Sequence, residues 1–169
     1  MLIGGLAVVA RGVGRTTLDV DVSVSGSGIT LPTLVAALAD HGIVGRVADA
    51  EAFAQHHQIL LLRHRTSDVP IDLAIAWLPF ELEALSAAER IELAGVSTPV
   101  ETAEDLVISK LVASRPVDLV DAARLLEIHG RTLDLARLRR WVGEFAAALE
   151  DVERPKTLER ILAEADLGR

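Results

Sequence analysis

The sequence predicts a mixed α+β fold with an all-helical C-terminal part, and three patterns carry that expectation. Leu18 to Val24 (LDVDVSV) alternates strictly, with Leu and Val on one face and Asp19, Asp21 and Ser23 on the other, as in a strand with one buried face. Ile59 to His64 and Ile71 to Trp77 are two further strand-like runs, separated by the turn residues Thr66-Ser67-Asp68. From Thr102 onward, apolar residues recur at helical spacing instead. These patterns place an α+β core over residues 1–101 and a helical region packed on it over residues 102–169.

In chain order, Gly4-Gly5 opens a short helix that Gly12 and Gly14 end. The strand follows, then a Gly26-Ser27-Gly28 loop. Pro32 to His41 reads as a helix capped by Thr30, with Pro32 in its first turn and Gly42 closing it. Glu51 to His57 fits a short helix or a loop, Ser86 to Arg90 a helical or irregular segment, and Val96 to Val100 a short strand. Thr102 with Glu104 and Asp105 marks a helix start. Pro116 starts another helix, broken at Gly130, and Leu133 to Leu149 and Lys156 to Ala165 complete the set. Leu135, Leu138, Val142, Phe145 and Leu149 form the expected core stripe of the long helix.

Composition narrows the function classes. Aromatic residues make up only 3% of the 169-residue chain, so the core must be built from Leu, Val, Ile and Ala. The absence of cysteine removes thiolate nucleophiles and cysteine-based zinc sites, and fits a cytoplasmic setting. The apolar start lacks a basic leader and is interrupted by Arg11 and Arg15, so neither a signal peptide nor a membrane span is expected. A net charge of −8 argues against a surface built for non-specific nucleic-acid binding. Arg63-His64-Arg65 and Arg137, Arg139 and Arg140 are the local basic clusters that an RNA could use; the plain alternative is a solvated face.

The chemistry-bearing pattern is acidic. Asp19 and Asp21, at alternate positions of one strand, share a face. Like charges so close are unfavourable unless a cation lies between them, and hard divalent cations take such oxygen ligands. Asp72 stands alone in the apolar run Pro70 to Ala76, where an unpaired carboxylate is costly to bury. If the two strands are neighbours, the three aspartates form one cluster, able to hold the metal ions that bind a triphosphate and lower the pKa of an acceptor hydroxyl. In that arrangement Asp72 is a metal ligand and candidate general base. Gly4 and Gly5, at a helix start, suit the close approach of a phosphate. The alternatives are an exposed acidic strand face and a strand-end Asp72 turned to water.

Gly4-Gly5-Leu6-Ala7-Val8 followed by Arg15-Thr16-Thr17-Leu18-Asp19-Val20-Asp21 resembles the first motif of the polymerase-beta superfamily of nucleotidyltransferases. It is most similar to the branch containing the abortive-infection and toxin–antitoxin nucleotidyltransferase toxins. The resemblance continues through Pro70-Ile71-Asp72-Leu73, Glu104 to Leu111, Arg115 and Asp118-Leu119-Val120-Asp121. It implies a small mixed β-sheet flanked by helices, with the acidic site on one sheet edge. It implies transfer of a nucleoside monophosphate from an NTP to a hydroxyl of RNA such as tRNA, of a protein or of a small molecule. It also implies Mg²⁺ or Mn²⁺, and an antitoxin as a possible partner. Carried over, Asp19, Asp21 and Asp72 are metal ligands, Gly4, Gly5 and Arg15 contact phosphate, and Lys110 is aimed at the triphosphate. Asp118 fits the site or a helix start, while Asp121 fits an ion pair with Arg124.

Where many superfamily members carry Gly-Ser, this chain has Gly4-Gly5, so phosphate binding would rest on backbone N–H groups. The motif also begins almost at Met1, which leaves a chain trimmed at its start, or C-terminal helices covering that side, as the two expectations. Other function classes compatible with the residues are a catalytically degenerate nucleotide- or partner-binding module on the same fold and a metal-dependent phosphohydrolase.

Overall fold

The computed structural model describes residues 1–167 and has a mixed α+β architecture. The chain divides into two compact units. The first comprises residues 1–7 and 15–101; the second comprises residues 8–14 and 102–169. The boundary at Glu101 and Thr102 is where strand patterning gives way to helical spacing, and the segment 8–14 groups with the helices.

In the first unit, helix α1 (Gly4–Ala10) begins and runs on into the second. The sheet contains β1 (Val20–Ser25), β2 (Ile43–Gly45), β3 (Ile59–His64) and β4 (Pro70–Ala76) in the order β1-β4-β3-β2. β1 and β4 are parallel, whereas β3 pairs antiparallel with both β4 and β2, so the sheet is mixed. The parallel pair requires a crossover. It is supplied by α2 (Leu31–Asp40), β2, α3 (Ala50–His57) and β3. Leu60, Leu62 and Leu73 form the buried centre of one sheet face with Ala54 of α3. Val22, Val24, Ile71 and Ile75 pack there, as do Leu34, Val35 and Leu38 of α2. Thr30 caps α2 through the Thr33 N–H, as its position before Pro32 predicts.

After β4 come α4 (Pro79–Ala87) and a hairpin of β5 (Glu89–Leu93) and β6 (Val96–Val100). The Glu81 carboxylate accepts the N–H groups of Trp77 and Leu78 at 2.9 and 3.0 Å, which closes the N-terminal end of α4. The segment before α1 lies between the two sheets. Ile3 N–H donates to Asp21 O, while on its other side Leu2 N–H donates to Pro99 O and Leu2 O accepts from Glu101 N–H.

Three expectations are corrected here. β2 and β5 are strands that the sequence reading does not include, and the stretch Ser86 to Arg90, expected as helical or irregular, is helical to Ala87 and joins β5 from Glu89. β1 starts at Val20 rather than Leu18, and Leu18 is 83% exposed. The ladder runs from Val20↔Ile71, and the next pair back would fall on Pro70, which has no N–H to donate.

The second unit contains α5 (Ala103–Ala113), α6 (Pro116–His129), a 3-10 turn (Gly130–Thr132), α7 (Leu135–Ala148) and α8 (Glu153–Glu164). Contacts join α5 to α6, α7 and α8. Leu106, Leu111, Leu125, Leu138, Leu158 and Leu162 are among the side chains they bury. On α7 the stripe of Leu138 and Val142 is buried as its spacing predicts, joined by Trp141 and Ala146, but Leu149 is 52% exposed because the helix ends at Ala148. Among the described residues, no helix is long and apolar enough to cross a membrane.

Candidate functional site

β1 and β4 bring two of the three aspartates together. Asp21 and Asp72 are direct register partners on adjacent parallel strands, so their side chains share a sheet face. Both are half-buried. Like charges directly opposite across a sheet destabilise it, so this pairing calls for a compensating cation. Asp19 lies one residue before β1, exposed, and its carboxylate accepts the Thr17 hydroxyl at 2.7 Å. Among the described residues, no group of three or more His, Cys, Asp or Glu is gathered closely enough to hold a metal ion.

The glycine pair serves a close approach by the chain itself. Gly4 has φ of +62°, a left-handed conformation that favours glycine. A β-carbon there would overlap the Asp21 carboxylate, which therefore rests against the Gly4 backbone. At Gly5 a β-carbon would stand 2.7 Å from the Thr17 hydroxyl and 3.2 Å from Arg15 Nη2. Gly4, Gly5, Arg15, Thr17 and Asp21 are thus one cluster, with the Arg15 guanidinium beside the first turn of α1. Gly4→Ala combines a strained φ with that overlap and is expected to destabilise the protein by about 1–3 kcal/mol. Urea unfolding measures it; an unchanged midpoint would show that Asp21 does not rest on Gly4.

Arg46 is the residue that sequence reading missed. It follows the three-residue strand β2, and an isolated arginine after a glycine carries no motif. Its Nη1 stands 2.6 Å from Asp72 Oδ1, with both side chains 29% exposed. The same Oδ1 is buried and accepts no hydrogen bond of acceptable geometry, so the contact is one of charge rather than a directed N–H bond.

Lys110 occupies a buried ionic network in the helical unit. Its Nζ is 2.9 Å from Asp118 and 3.1 Å from Asp121, and all three side chains are buried. Arg115 adds a second cation at 2.5 Å from Asp118. Asp121 thus pairs with Lys110 and not with Arg124, whose guanidinium donates to Gly14 O. Helical spacing suggested the Arg124 pair; the burial of Asp121 and the nearness of α5 decide for Lys110. Burial pushes the Asp118 carboxyl up, but hydrogen bonds from Arg115 and Lys110 and their charges outweigh it and hold it below its ordinary value of 3.8. A depressed carboxyl contributes stability that is fully present above the unfolded value and is lost as pH falls through the folded one. Asp118→Asn should therefore flatten the acid limb of a stability–pH curve below about pH 4. A limb as steep as the parent's would exclude Asp118 as its source.

The arginines of α7 are engaged within the helical unit. Arg137 pairs with the buried Asp105, Arg139 with Glu159 at 2.6 Å, and Arg140 with Glu144 at 3.4 Å while lying over the Trp141 ring. Of the other basic cluster, Arg63 pairs with Asp68, and the His64 ring is hydrogen-bonded to Ser67. Each arginine named here sits beside a carboxylate, which lowers the positive field available to an RNA.

The donor chemistry at Asp21 and Asp72 fits a hard divalent cation. Mg²⁺ is commonly held by one or two protein carboxylates with waters and substrate phosphates filling the remaining positions. The buried Asp72 Oδ1, lacking a hydrogen-bond donor, is an oxygen suited to such an ion. In comparisons with protein-family models and with curated protein sequences, the chain matches none.

Proposed function

We propose that the chain is a metal-dependent nucleotidyltransferase that transfers a nucleoside monophosphate from an NTP to an acceptor hydroxyl. The observation that carries the reading is the Asp21–Asp72 register pair, set on adjacent parallel strands beside Gly4, whose left-handed backbone favours glycine. Asp21 and Asp72, with Asp19 one residue before the strand, are the residues that would hold Mg²⁺ or Mn²⁺. When bound, the ion neutralises phosphate charge and lowers the pKa of the attacking hydroxyl. Arg15, lying beside Gly5, supplies a guanidinium whose fork matches phosphate oxygens. Gly4 and Gly5 keep β-carbons out of that approach. Asp72 accepts the proton of the acceptor hydroxyl, whose oxygen bonds to the α-phosphorus as the bond to pyrophosphate breaks. Lys110 remains the triphosphate candidate from the resemblance to toxin-type nucleotidyltransferases. An RNA such as tRNA, a protein or a small hydroxylated molecule is the acceptor class, and an antitoxin-like partner and a cytoplasmic setting belong to the same proposal.

A nucleotide- or partner-binding module without turnover is the second reading. The observation favouring it is Arg46 at 2.6 Å from Asp72, a cation already beside the carboxylate. Incubation with each labelled NTP, Mg²⁺ or Mn²⁺ and total tRNA separates the two. Metal-dependent label on RNA, with pyrophosphate released, supports the transferase. No label on RNA, protein or small acceptors under any of these conditions supports the binding module.

A further inference from the structure

Arg46 is fixed beside Asp72 by its backbone as well as its charge. Its N–H donates at 3.0 Å to the carbonyl of Leu61, and Leu61 is the register partner of Asp72 on β3. The side chain thus starts just past β2, two strands from β4, and reaches over β3 level with the carboxylate. Its Nη1 lies 2.6 Å from Asp72 Oδ1 and donates weakly to Leu62 O at 3.5 Å. On the other side of Asp72, Asp21 presents a like charge at the same register. A directed, two-bonded arginine–carboxylate fork is strong and specific in geometry. The Arg46 contact lacks that alignment, since Oδ1 accepts no hydrogen bond. It offsets charge without the hold of an aligned fork, so another cation can take its place at the oxygen.

We propose that Arg46 is the resident counter-ion of the Asp21–Asp72 pair, which a divalent cation must displace to bind. Arg46 is then a positioning residue that sets metal affinity and keeps the two carboxylates together in the ion-free chain. The inference rests on the metal-site reading above. A guanidinium left at the site opposes a second positive charge there, so removing it favours the metal.

The test is Mn²⁺ titration of the full chain without nucleotide, followed by electron paramagnetic resonance of free Mn²⁺. Arg46→Gln should bind Mn²⁺ about tenfold more tightly than the parent, a coupling of ordinary size between two ligands of one site. Arg46→Lys, which keeps the charge, should stay within about twofold of the parent. Arg46→Gln/Asp72→Asn should lose the gain. Arg46→Ala gives the same readout if the glutamine variant does not fold. Parent and Arg46→Gln binding Mn²⁺ equally, or the variant more weakly, overturns the counter-ion role while leaving the metal site standing. Binding by none of these proteins, with or without a non-hydrolysable NTP analogue, overturns the metal reading and this inference together.

Discussion

Asp21→Ala and Asp72→Ala should each abolish nucleotide transfer, with losses of at least about a thousandfold, while the chain stays folded. The two residues oppose one another across β1 and β4, so neither can be replaced by a shift of its neighbour. Removing Asp21 relieves a cross-strand repulsion and should leave the sheet at least as stable, whereas removing Asp72 relieves the same repulsion but gives up the contact with Arg46. At Asp21, unchanged or raised stability with lost transfer is therefore the signature of a functional carboxylate. Asp19→Ala serves as the internal comparison. Asp19 is exposed and outside the ladder, so its loss should cost less than that of Asp21 or Asp72. Initial rates with saturating Mg²⁺ decide the order. A fully active Asp72→Ala variant would remove Asp72 from the reaction.

Lys110→Met should lower stability by about 3–5 kcal/mol, since it leaves the buried carboxylates Asp118 and Asp121 without their shared cation. For a chain of this length that corresponds to a fall in Tm of roughly 10 °C. Arg115 still reaches Asp118 from a largely exposed position, so that carboxylate keeps one of its two cations. Adding Asp121→Asn to Lys110→Met should recover part of the loss, a non-additivity expected of residues in one network. The same variant addresses the triphosphate role. Thermal unfolding reports the network, and KM for NTP reports phosphate contact. A raised KM at unchanged Tm would favour the triphosphate role over the structural one.

The parts of the fold legible in the sequence were those with a period. β1, β3 and β4 have alternating or continuous apolar runs bounded by turn residues, and α2, α5 and α6 start at Thr30, Thr102 and Pro116 with recognisable first turns. β2 is three residues long and follows the helix-closing Gly42, too short for any period to register. In β5 the order ERIEL offers only Ile91 and Leu93 as an alternating apolar pair, too short a run to register among its charges. Helix α4 distributes Phe80, Leu82, Ala84 and Leu85 around its circumference, which hides its period although Pro79 stands at its start. Asp21 and Asp72 were legible because a carboxylate in an apolar strand is conspicuous. Arg46 was not, because its meaning comes from the register of β2, β3 and β4 and not from its neighbours in sequence. Asp121 shows the same limit: spacing along α6 suggested Arg124, and only the fold supplies Lys110.

Leu2 is hydrogen-bonded on one side of the chain to the end of β6, while Ile3 is bonded on the other to Asp21. Residues 1–3 are made well before Pro99 and Glu101, so both of their edges are filled only after the hairpin has been made. The backbone holding Gly4 against Asp21 is continuous with that segment. A chain not yet extended to Glu101 can hold this segment against β1 but not against β6, and long-range closure of this kind is slow. The backbone that leads into Gly4 is thus locked on both edges only when the hairpin at the end of the first unit has formed.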